Sequence, residues 1–311
     1  MNYLVTGGAG FIGSHLVEEL IKSGASNKVR VYDNLTSGHE SNLKPFRQNI
    51  DLIQADIRDL PGLSKAFSGV DVVFHHAALT SVPGSVADPL ACNEVNITGT
   101  LNVLLAARDA GVKRVVFASS SAIYGENSES PKKEGMLPEP LSPYAASKLA
   151  GEHYCKMFSA LFGLKTVCFR YFNVFGPRQD PNSQYAAVIP KFIAAAAANK
   201  QPKVFGDGEQ TRDFVFVKDV VRANLLAAQS KDLPQPAIYN VGTGSSVSLN
   251  QLLAQLSRLY GRDLNPVYMD PVPGDVKHSR ADISKVAREL GYKPQASLET
   301  GLQAILQSSA S

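Results

Sequence analysis

The sequence has few of the features that mark membrane-bound, secreted or metal-dependent proteins. No run among its 311 residues reaches the roughly 18 apolar residues that a transmembrane helix needs. The first apolar stretch begins at residue 3 and glycines soon interrupt it, unlike a signal peptide, so we expect a cytoplasmic chain. The three cysteines are few and odd in number, and no two have metal-ligand spacing. We therefore expect Cys92, Cys155 and Cys168 to be buried apolar residues and predict no metal site.

The net charge is also small. A formal charge of +3 does not indicate nucleic acid or an anionic membrane as the main partner. Hydrophobic residues make up 44% and charged residues 19%, which is typical of a globular enzyme. At 311 residues the chain is near the size at which one core stops growing, so we expect one large and one smaller lobe.

The chain is rich in glycine at one place, a turn between a short apolar strand at residues 3–5 and a helical pattern at 14–21. The turn contains Gly7, Gly10 and Gly13. Glycines there turn the chain without a Cβ clash and let backbone N–H groups approach a diphosphate at the positive end of the helix. The alternative is a structural strand–helix–strand unit that binds nothing.

A carboxylate at the end of the second strand favours a dinucleotide site over a purely structural unit. Asp33 ends a second strand, twenty residues after Gly13. That position suits the ribose hydroxyls of NAD, and its charge would repel the 2′-phosphate of NADP. We therefore predict an NAD site.

Strands and helices continue to alternate, which predicts an α/β fold with a doubly wound parallel sheet. Apolar segments at 50–55, 70–76, 113–118 and 166–172 read as strands, and 91–110 is a long helical pattern. Ligands of such sheets bind outside the carboxyl ends of the strands. The end of the fourth strand carries His75 and His76, which we interpret as packing residues because no second ligand cluster accompanies them.

A tyrosine and a lysine lie one helical turn apart after a helix start signal. Ser142 as N-cap and Pro143 at the first position predict the helix, and Tyr144 and Lys148 share one face of it. A tyrosine with a pKa of about 10 is a poor base at neutral pH. We expect Lys148, the helix N-terminus and a positive nicotinamide to favour its phenolate. Ser120, at a strand's carboxyl end, would share the substrate hydrogen bond, which completes a site for reversible alcohol oxidation.

Taken together, these motifs resemble the extended short-chain dehydrogenase/reductase family, and within it the UDP-hexose 4-epimerases. The first half contributes Thr6-Gly7-x2-Gly10-x2-Gly13, Asp33, Asn96 before Gly99-Thr100, Ser120 and Tyr144-x3-Lys148. The second half contributes segments 142–148, 170–178, 206–208, 211–214 and 274–276. The likeness covers nearly the whole chain and is strongest to enzymes that act on UDP-N-acetylglucosamine.

The resemblance implies a Rossmann-type NAD domain at residues 1–172, with some later strand and helix additions. It implies a smaller, mainly UDP-sugar-binding α/β lobe at 173–311. NAD⁺ would stay bound while Tyr144 takes the proton of the sugar 4-hydroxyl and the C4 hydride passes to the nicotinamide. The 4-keto sugar would swing about its diphosphate and receive the hydride on the other face.

Site residues follow from the same resemblance, with Ser120, Tyr144 and Lys148 as the catalytic group. The implied cofactor contacts are Gly7, Gly10, Phe11, Ile12, Gly13, Asp33, Asn34, Thr36, Ser37, Gly38, Asp56, Ile57, Ala77, Ala78, Leu79, Asn96, Tyr144, Lys148 and Tyr171. The implied substrate contacts are Ser81, Ser120, Ser121, Asn173, Ala187, Val188, Lys191, Val204, Phe205, Arg212, Asp275 and Ser279. Arg212 would hold the diphosphate, Asn173 a phosphate or sugar, and residues 185–189 and 203–205 the uridine.

Two positions depart from the family's usual pattern. Val272 stands three residues before Asp275, where an arginine usually grips the diphosphate, and Lys277 or Arg178 would have to compensate. Thr80 stands where many glucose-type epimerases carry lysine, as is usual in the N-acetyl-type group.

Related activities remain as alternatives. A 4,6-dehydratase of the same family needs an Asp-Glu pair directly after its catalytic hydroxyl residue, and this chain has Ser121 and Ala122. A UDP-glucuronate decarboxylase is a second alternative. A non-catalytic NAD-binding regulator would be expected to have lost the Tyr-x3-Lys motif, which is intact here.

Two further predictions concern specificity and assembly. Ser279 matches a residue that borders the sugar C2 substituent, where a tyrosine would fill the space of an acetamido group, so we predict acceptance of N-acetylated UDP-hexosamines. The helices at 91–110 and 143–162 are apolar on more than one face, which predicts a homodimer through a four-helix bundle. Close approach would be allowed by small residues, namely Ala106, Ala107 and Ala150.

Overall fold

The structure is a computed structural model that describes residues 1–24, 26–180, 187–271 and 277–309. Several predictions lie outside the described residues. They concern the departure at Val272, the contact made by Asp275, the motif at 274–276, and residues 185 and 186 of the uridine wall.

The chain alternates strands and helices through its first half. The strands are β1 Asn2–Thr6, β2 Lys28–Asp33, β3 Ile50–Gln54, β4 Val72–His75, β5 Arg114–Ser120, β6 Lys165–Tyr171, β7 Asn173–Phe175, β8 Lys203–Phe205, β9 Thr211–Arg212, β10 Phe214–Phe216, β11 Ala237–Val241, β12 Val247–Ser248, β13 Val267–Met269 and β14 His278–Ser279. The helices are α1 Phe11–Lys22, α2 Leu60–Ala66, α3 Val82–Ala87, α4 Pro89–Asn93, α5 Gly99–Asp109, α6 Pro143–Phe162, α7 Val188–Ala197, α8 Val217–Gln229, α9 Leu249–Tyr260, α10 Ser284–Leu290 and α11 Leu298–Ser309.

Seven parallel strands form the main sheet, in the order β11-β6-β5-β4-β1-β2-β3. The order reverses at β1, which lies between β2 and β4. A crevice opens at such a switch point, outside the carboxyl ends of the strands. The predicted doubly wound parallel sheet is therefore confirmed, and its last strand comes from the C-terminal part of the chain.

Apolar side chains cover both faces of this sheet. On one face, α1 and α8 pack against the strands through residues such as Leu16 and Val220. On the other face, α2, α5 and α6 pack through residues such as Leu63, Val103 and Phe158. Because the strands are covered on both sides, their sequences are almost continuously apolar rather than alternating.

The C-terminal part adds three small sheets around a third core. These are β7 with β10, β8 with β13, and β12-β9-β14. Helices α7, α9 and α11 pack on them through residues such as Phe192, Leu252 and Leu302. In the described part of the chain, no helix is both long and apolar enough to cross a membrane.

Most local signals in the sequence are confirmed. The Ser142 side chain accepts from the Ala145 amide at the start of α6, with Pro143 in the first turn. Ser248 and Gln251 form a capping box at the start of α9. All three cysteines are buried and free. The helix predicted at 91–110 is α4 and α5 joined by a π-helical turn, Glu94–Thr98.

One packing prediction is wrong. Ala106 and Ala107 are fully buried in the core of their own subunit, so they cannot form an outer face for a second copy. An apolar helix residue can face the core of its own subunit or a partner subunit. The apolar pattern of α5 does not show which of its faces is the inner one and which the outer one.

Candidate active site

The glycine-rich turn leads from β1 into α1 and packs against the end of β4. Gly7 has a φ of +69°, and a Cβ there would lie 2.6 Å from the Ala77 amide nitrogen. A Cβ on Gly13 would lie 2.1 Å from the Gly7 carbonyl oxygen. Both positions therefore exclude any side chain, which brings the backbone of residues 7–13 and Ala77 into one close-packed surface.

The helix that follows leaves its N-terminus open. Gly10 is the N-cap, and among the described residues no side chain caps it and no acidic residue occupies the first turn. A helix leaves its first N–H groups without intrahelical partners, and these carry partial positive charge. The predicted contacts Phe11 and Ile12 lie in this turn, so the site fits the diphosphate of a dinucleotide.

Asp33 lies at the end of β2 beside this turn, and its carboxylate is buried. It accepts from the Ala9 amide and from the Leu35 amide, each at 2.8 Å. Gly38 is packed so closely that a Cβ would lie 3.0 Å from the Asp33 carboxylate. The carboxylate is therefore fixed beside the glycine-rich turn, with lone pairs left for ribose hydroxyls.

The predicted adenosine side is formed by the loop after β2 and the end of β3. Asn34 donates to the Asp56 carboxylate at 2.9 Å, and the Thr36 amide donates to the Asn34 side chain at 3.1 Å. Hydrogen bonds from Arg58 lower the pKa of Asp56 to about 2. Asp56 therefore stays ionised and already accepts several hydrogen bonds. Ser37 and Ile57 lie beside these residues in the chain.

Asn96 fixes the segment that follows β4. Its side chain accepts from the Leu79 amide at 2.8 Å and donates to the Leu79 carbonyl at 2.9 Å. It also donates to Ser147 on α6 at 2.9 Å. Asn96 lies in the π-helical turn, a feature that often occurs at functional sites. It therefore connects the predicted cofactor segment, residues 77–79, to the helix that carries the candidate base.

Ser120, Tyr144 and Lys148 meet between the end of β5 and the first turns of α6. A hydrogen bond connects Ser120 to the Tyr144 hydroxyl. The Lys148 ammonium donates to the Ala118 carbonyl at 2.7 Å and lies 5.9 Å from the centre of the Tyr144 ring. The Tyr144 amide donates to Ser85 at 3.1 Å, which fixes the start of the helix. The structure thus brings the three predicted catalytic residues together.

The pKa values of this group are set mainly by burial. Burial lowers the pKa of Lys148 to about 8. Burial raises the pKa of Tyr144, although the hydrogen bond from Ser120 acts in the opposite direction. In the protein alone, loss of hydration thus dominates the pKa of Tyr144. That Lys148, the helix N-terminus and a positive nicotinamide together favour the phenolate stays a prediction for the site with NAD bound.

The two histidines at the end of β4 point to opposite faces of the sheet. His75 is buried, with Nδ1 2.7 Å from the Thr6 hydroxyl and Nε2 2.9 Å from the Thr100 hydroxyl. His76 stacks on Tyr171, with ring centres 6.0 Å apart. The packing interpretation of both is confirmed. The predicted cofactor residue Tyr171 hydrogen-bonds through its hydroxyl to Asn224, at 2.8 and 3.1 Å.

The candidate substrate groups lie on the small sheets. Ser279 of β14 pairs with Arg212 of β9, and both are half-buried. Paired residues of parallel strands project to the same face. Arg212 donates to the Thr211 carbonyl at 3.0 Å, and the Asn173 amide donates to the Asp213 carbonyl at 3.0 Å. The residues predicted for the diphosphate and for the sugar are thus neighbours.

The other predicted substrate residues are spread over several elements. Ser81 caps α3, and Ser121 begins a 3-10 turn directly after β5. Ala187, Val188 and Lys191 lie at the start of α7, and Phe205 is exposed on β8. The exception is Val204, whose side chain is buried in the third core. Alternate residues of a strand face opposite sides, so Val204 would meet the uridine through its backbone, and this contact stays a prediction.

Sequence reasoning missed Asp213, which organises the substrate side. Its buried carboxylate accepts from the amides of Thr243, Gly244 and Ala281 at 2.8, 3.0 and 3.1 Å. It therefore ties β9 to the segment that follows Ser279. Asp213 belongs to segment 211–214 of the family resemblance, but no role of its own followed from the sequence, because one aspartate beside a strand is not distinctive.

Comparison with known proteins gives a consistent result. Residues 3–242 match the model of the NAD dependent epimerase/dehydratase family. A putative UDP-glucose 4-epimerase of Methanocaldococcus jannaschii is 42% identical over 97% of this chain and 96% of its own length. A UDP-glucose 4-epimerase of Mycolicibacterium smegmatis is 41% identical over 97% of this chain and 96% of its own length. A UDP-N-acetyl-alpha-D-glucosaminuronate decarboxylase of Bacillus cytotoxicus is 34% identical over 98% and 96%.

Solved structures show the same fold. The UDP-N-acetylglucosamine 4-epimerase of Methanobrevibacter ruminantium, in complex with UDP-N-acetylmuramic acid, has a TM-score of 0.94 and 46% identity over 99% of this chain and 98% of that one. The UDP-glucose 4-epimerase of Thermotoga maritima, with UDP-glucose, has a TM-score of 0.94 and 41% identity over 100% and 99%. A UDP-glucuronic acid 4-epimerase of Bacillus cereus, with UDP-glucuronic acid and NAD, has a TM-score of 0.92 and 33% identity over 99% and 98%.

Proposed function

We propose, since this chain belongs to the NAD-dependent epimerase/dehydratase family, that it is an NAD-dependent UDP-hexose 4-epimerase. We further propose that it accepts N-acetylated UDP-hexosamines as well as UDP-glucose and UDP-galactose. The observation that carries the proposal is the group of half-buried Ser120 and Tyr144 with buried Lys148, at the carboxyl end of β5 in a sheet whose glycine-rich turn fits a dinucleotide.

Tyr144 is the base in this proposal. It removes the proton of the sugar 4-hydroxyl and returns one to the oxygen at the end of the cycle. Bound NAD⁺ supplies the hydride acceptor for sugar C4 and a positive charge that favours the phenolate. Ser120 donates to the phenolate and shares the hydrogen bond of the substrate hydroxyl. Lys148 adds positive charge from the same helix face.

Arg212 holds the sugar nucleotide by its diphosphate, so that the sugar is free to present either face to Tyr144. Ser279 lies next to Arg212 in the paired strands, where it leaves room for an acetamido group at sugar C2. A serine hydroxyl also offers a hydrogen bond to that amide, whose unpaired burial would cost about 1–3 kcal/mol.

The mass of the product distinguishes an epimerase from the related enzymes of the family. The purified protein is incubated with UDP-glucose, UDP-galactose, UDP-N-acetylglucosamine, UDP-N-acetylgalactosamine and UDP-glucuronate, and the products are separated and weighed by mass spectrometry. An epimerase gives isomers of unchanged mass. Loss of water would identify a 4,6-dehydratase and loss of carbon dioxide a decarboxylase, and both would contradict the proposal.

A non-catalytic regulator would convert none of these sugars. Absorbance near 340 nm after addition of a UDP-sugar provides a second readout, because a trapped reduced cofactor absorbs there. Conversion of UDP-glucose without conversion of the acetylated sugars would support the 4-epimerase activity and contradict the proposed acceptance of N-acetylated UDP-hexosamines.

We also propose a homodimer through the outer faces of α4, α5 and α6. Leu90, Met157, Leu161 and Phe162 are exposed there, and Leu161 has 72% of its surface accessible. Several large apolar side chains exposed on neighbouring helices support a protein interface on this side. Multi-angle light scattering at micromolar concentration should report a dimer. Leu161→Glu should give a monomer, whereas Leu137→Glu, at an equally exposed leucine outside these helices, should not.

A further inference from the structure

We propose that Glu152 is a positioning residue that holds the catalytic helix α6 in register with β5, through a buried ion pair with Arg170. The inference rests on the proposed function, which gives Tyr144 and Lys148 their roles. Glu152 accepts from Arg170 Nε at 2.9 Å and from Nη2 at 2.8 Å. The two side chains are 3% and 4% exposed.

Glu152 continues the face of α6 that carries the candidate base. Tyr144, Lys148 and Glu152 are spaced by four residues, and such positions stack on one side of a helix. Tyr144 and Lys148 lie at the reacting end of this face, and Glu152 lies behind them in the core. Glu152 therefore acts through the other two residues and does not contact the substrate site itself.

Three consecutive residues of β5 hold these three residues of α6. The Ala118 carbonyl accepts from Lys148 at 2.7 Å. Ser119 donates to Glu152 at 2.5 Å, and Ser120 hydrogen-bonds Tyr144. A shift of the helix along the strand would break all three contacts together.

Arg170 extends the same network to the next strand. It lies directly opposite Ser119 in the pairing of β5 with β6. Its Nη1 donates to the Tyr124 hydroxyl at 2.9 Å, and that hydroxyl donates to Asn240 at 2.7 Å. Arg170 thereby connects the carboxylate of Glu152 to β6 and, through Tyr124 and Asn240, to the turn after β5 and to β11.

Stability alone does not account for this ion pair. Replacing a buried ion pair by apolar side chains is often neutral or stabilising, because both charges lose their hydration in the core. Geometry does account for it, since a misplacement of about 1 Å at a reacting centre can lower a rate by about 10²-fold.

The test separates positioning from stability with four variants, Glu152→Gln, Glu152→Asp, the double variant Glu152→Met with Arg170→Met, and Tyr239→Phe. For each we measure kcat and KM with a UDP-sugar, the NAD content and the melting temperature. Glu152→Gln should lower kcat by about 10–100-fold with KM and NAD content unchanged. Glu152→Asp keeps the charge with a shorter reach, so its kcat should fall between those of Glu152→Gln and the wild type.

The double variant decides the question. It removes both charges, so its melting temperature should recover relative to Glu152→Gln while kcat stays low. Recovery of kcat together with the melting temperature would show that the pair only stabilises the fold, and would overturn the inference. Tyr239→Phe is the control, because it removes the hydrogen bond of a buried tyrosine hydroxyl to Glu289, away from α6 and from the partners of Arg170. It should lower the melting temperature and leave kcat unchanged.

The wild type distinguishes failure of this inference from failure of the proposed function. A wild type that converts no UDP-sugar would overturn the proposed function. An active wild type with a fully active Glu152→Gln would overturn the positioning role alone.

Discussion

The two parts of the molecule hold their functional groups in different ways. In the seven-stranded sheet, Lys148 is 4% exposed, and three adjacent contacts fix α6 against β5. In the C-terminal part, Arg212 and Ser279 are half-buried on strands of two residues each. Lys148 is thus fixed inside a core, and Ser120 and Tyr144, half-buried at its edge, lie on a seven-residue strand and a twenty-residue helix. The candidate recognition groups lie on strands of only two residues.

This difference indicates how the two parts respond to change. A hydride and a proton transfer tolerate little movement, so the groups that perform them need neighbours on every side. Recognition of a sugar substituent depends on local volume, and one side chain on a short strand can alter it. Substitutions in the sheet should therefore change kcat, and substitutions in the small sheets should change KM or the choice of substrate.

The largest effect is expected for Tyr144→Phe. Loss of a general base typically lowers turnover by about 10²–10⁴-fold. NAD content should remain that of the wild type, because the glycine-rich turn and Asp33 are untouched. Turnover is measured by product chromatography, and NAD by extraction and absorbance. A variant that kept more than a few per cent of the wild-type rate would show that Tyr144 is not the base.

Arg212→Gln should act on binding rather than on chemistry. A hydrogen bond to a charged group contributes about 1.5–3 kcal/mol, so KM for a UDP-sugar should rise by about 10–150-fold while kcat at saturation stays near the wild-type value. Arg222→Gln is the control, since that arginine of α8 donates to the Lys293 carbonyl. If Arg212→Gln lowered kcat and left KM unchanged, Arg212 would not act in binding, and the expected contrast between the sheet and the small sheets would be wrong.

Ser279→Tyr should change the choice of substrate. The added ring would occupy the volume proposed for the acetamido group, and overpacking of this kind costs about 1–3 kcal/mol. Turnover of UDP-N-acetylglucosamine should therefore fall by about tenfold or more relative to UDP-glucose, which serves as the internal control. Equal losses on both sugars would mean that Ser279 does not border the C2 substituent.

Ser120→Ala should have the smallest effect on kcat/KM of these four variants. It removes one neutral hydrogen bond to Tyr144, which contributes about 0.5–1.5 kcal/mol, so kcat should fall by about two- to tenfold. The same hydrogen bond lowers the pKa of Tyr144, so its loss should move the acidic limb of the kcat/KM profile to higher pH. A shift to lower pH would contradict the assigned direction of the bond.

Local signals in the sequence were sufficient for the dinucleotide part. The glycine-rich turn, the cap at Ser142 and the spacing of Tyr144 and Lys148 each depend on a few neighbouring residues, so they can be read without knowledge of the fold. The alternation of strands and helices likewise predicted the parallel sheet, because each element has its own hydrophobic period. Resemblance then supplied the remaining candidate residues.

Only the tertiary structure decided how distant segments meet. The pairing of Ser279 with Arg212 joins residues 67 positions apart. Strands of two residues have no period from which such a register could be predicted. The ion pair of Glu152 and Arg170 and the burial of Ala106 depend on which helix face meets the sheet. The raised pKa of Tyr144 has the same origin, because burial is a property of the folded chain and not of the Tyr-x3-Lys spacing.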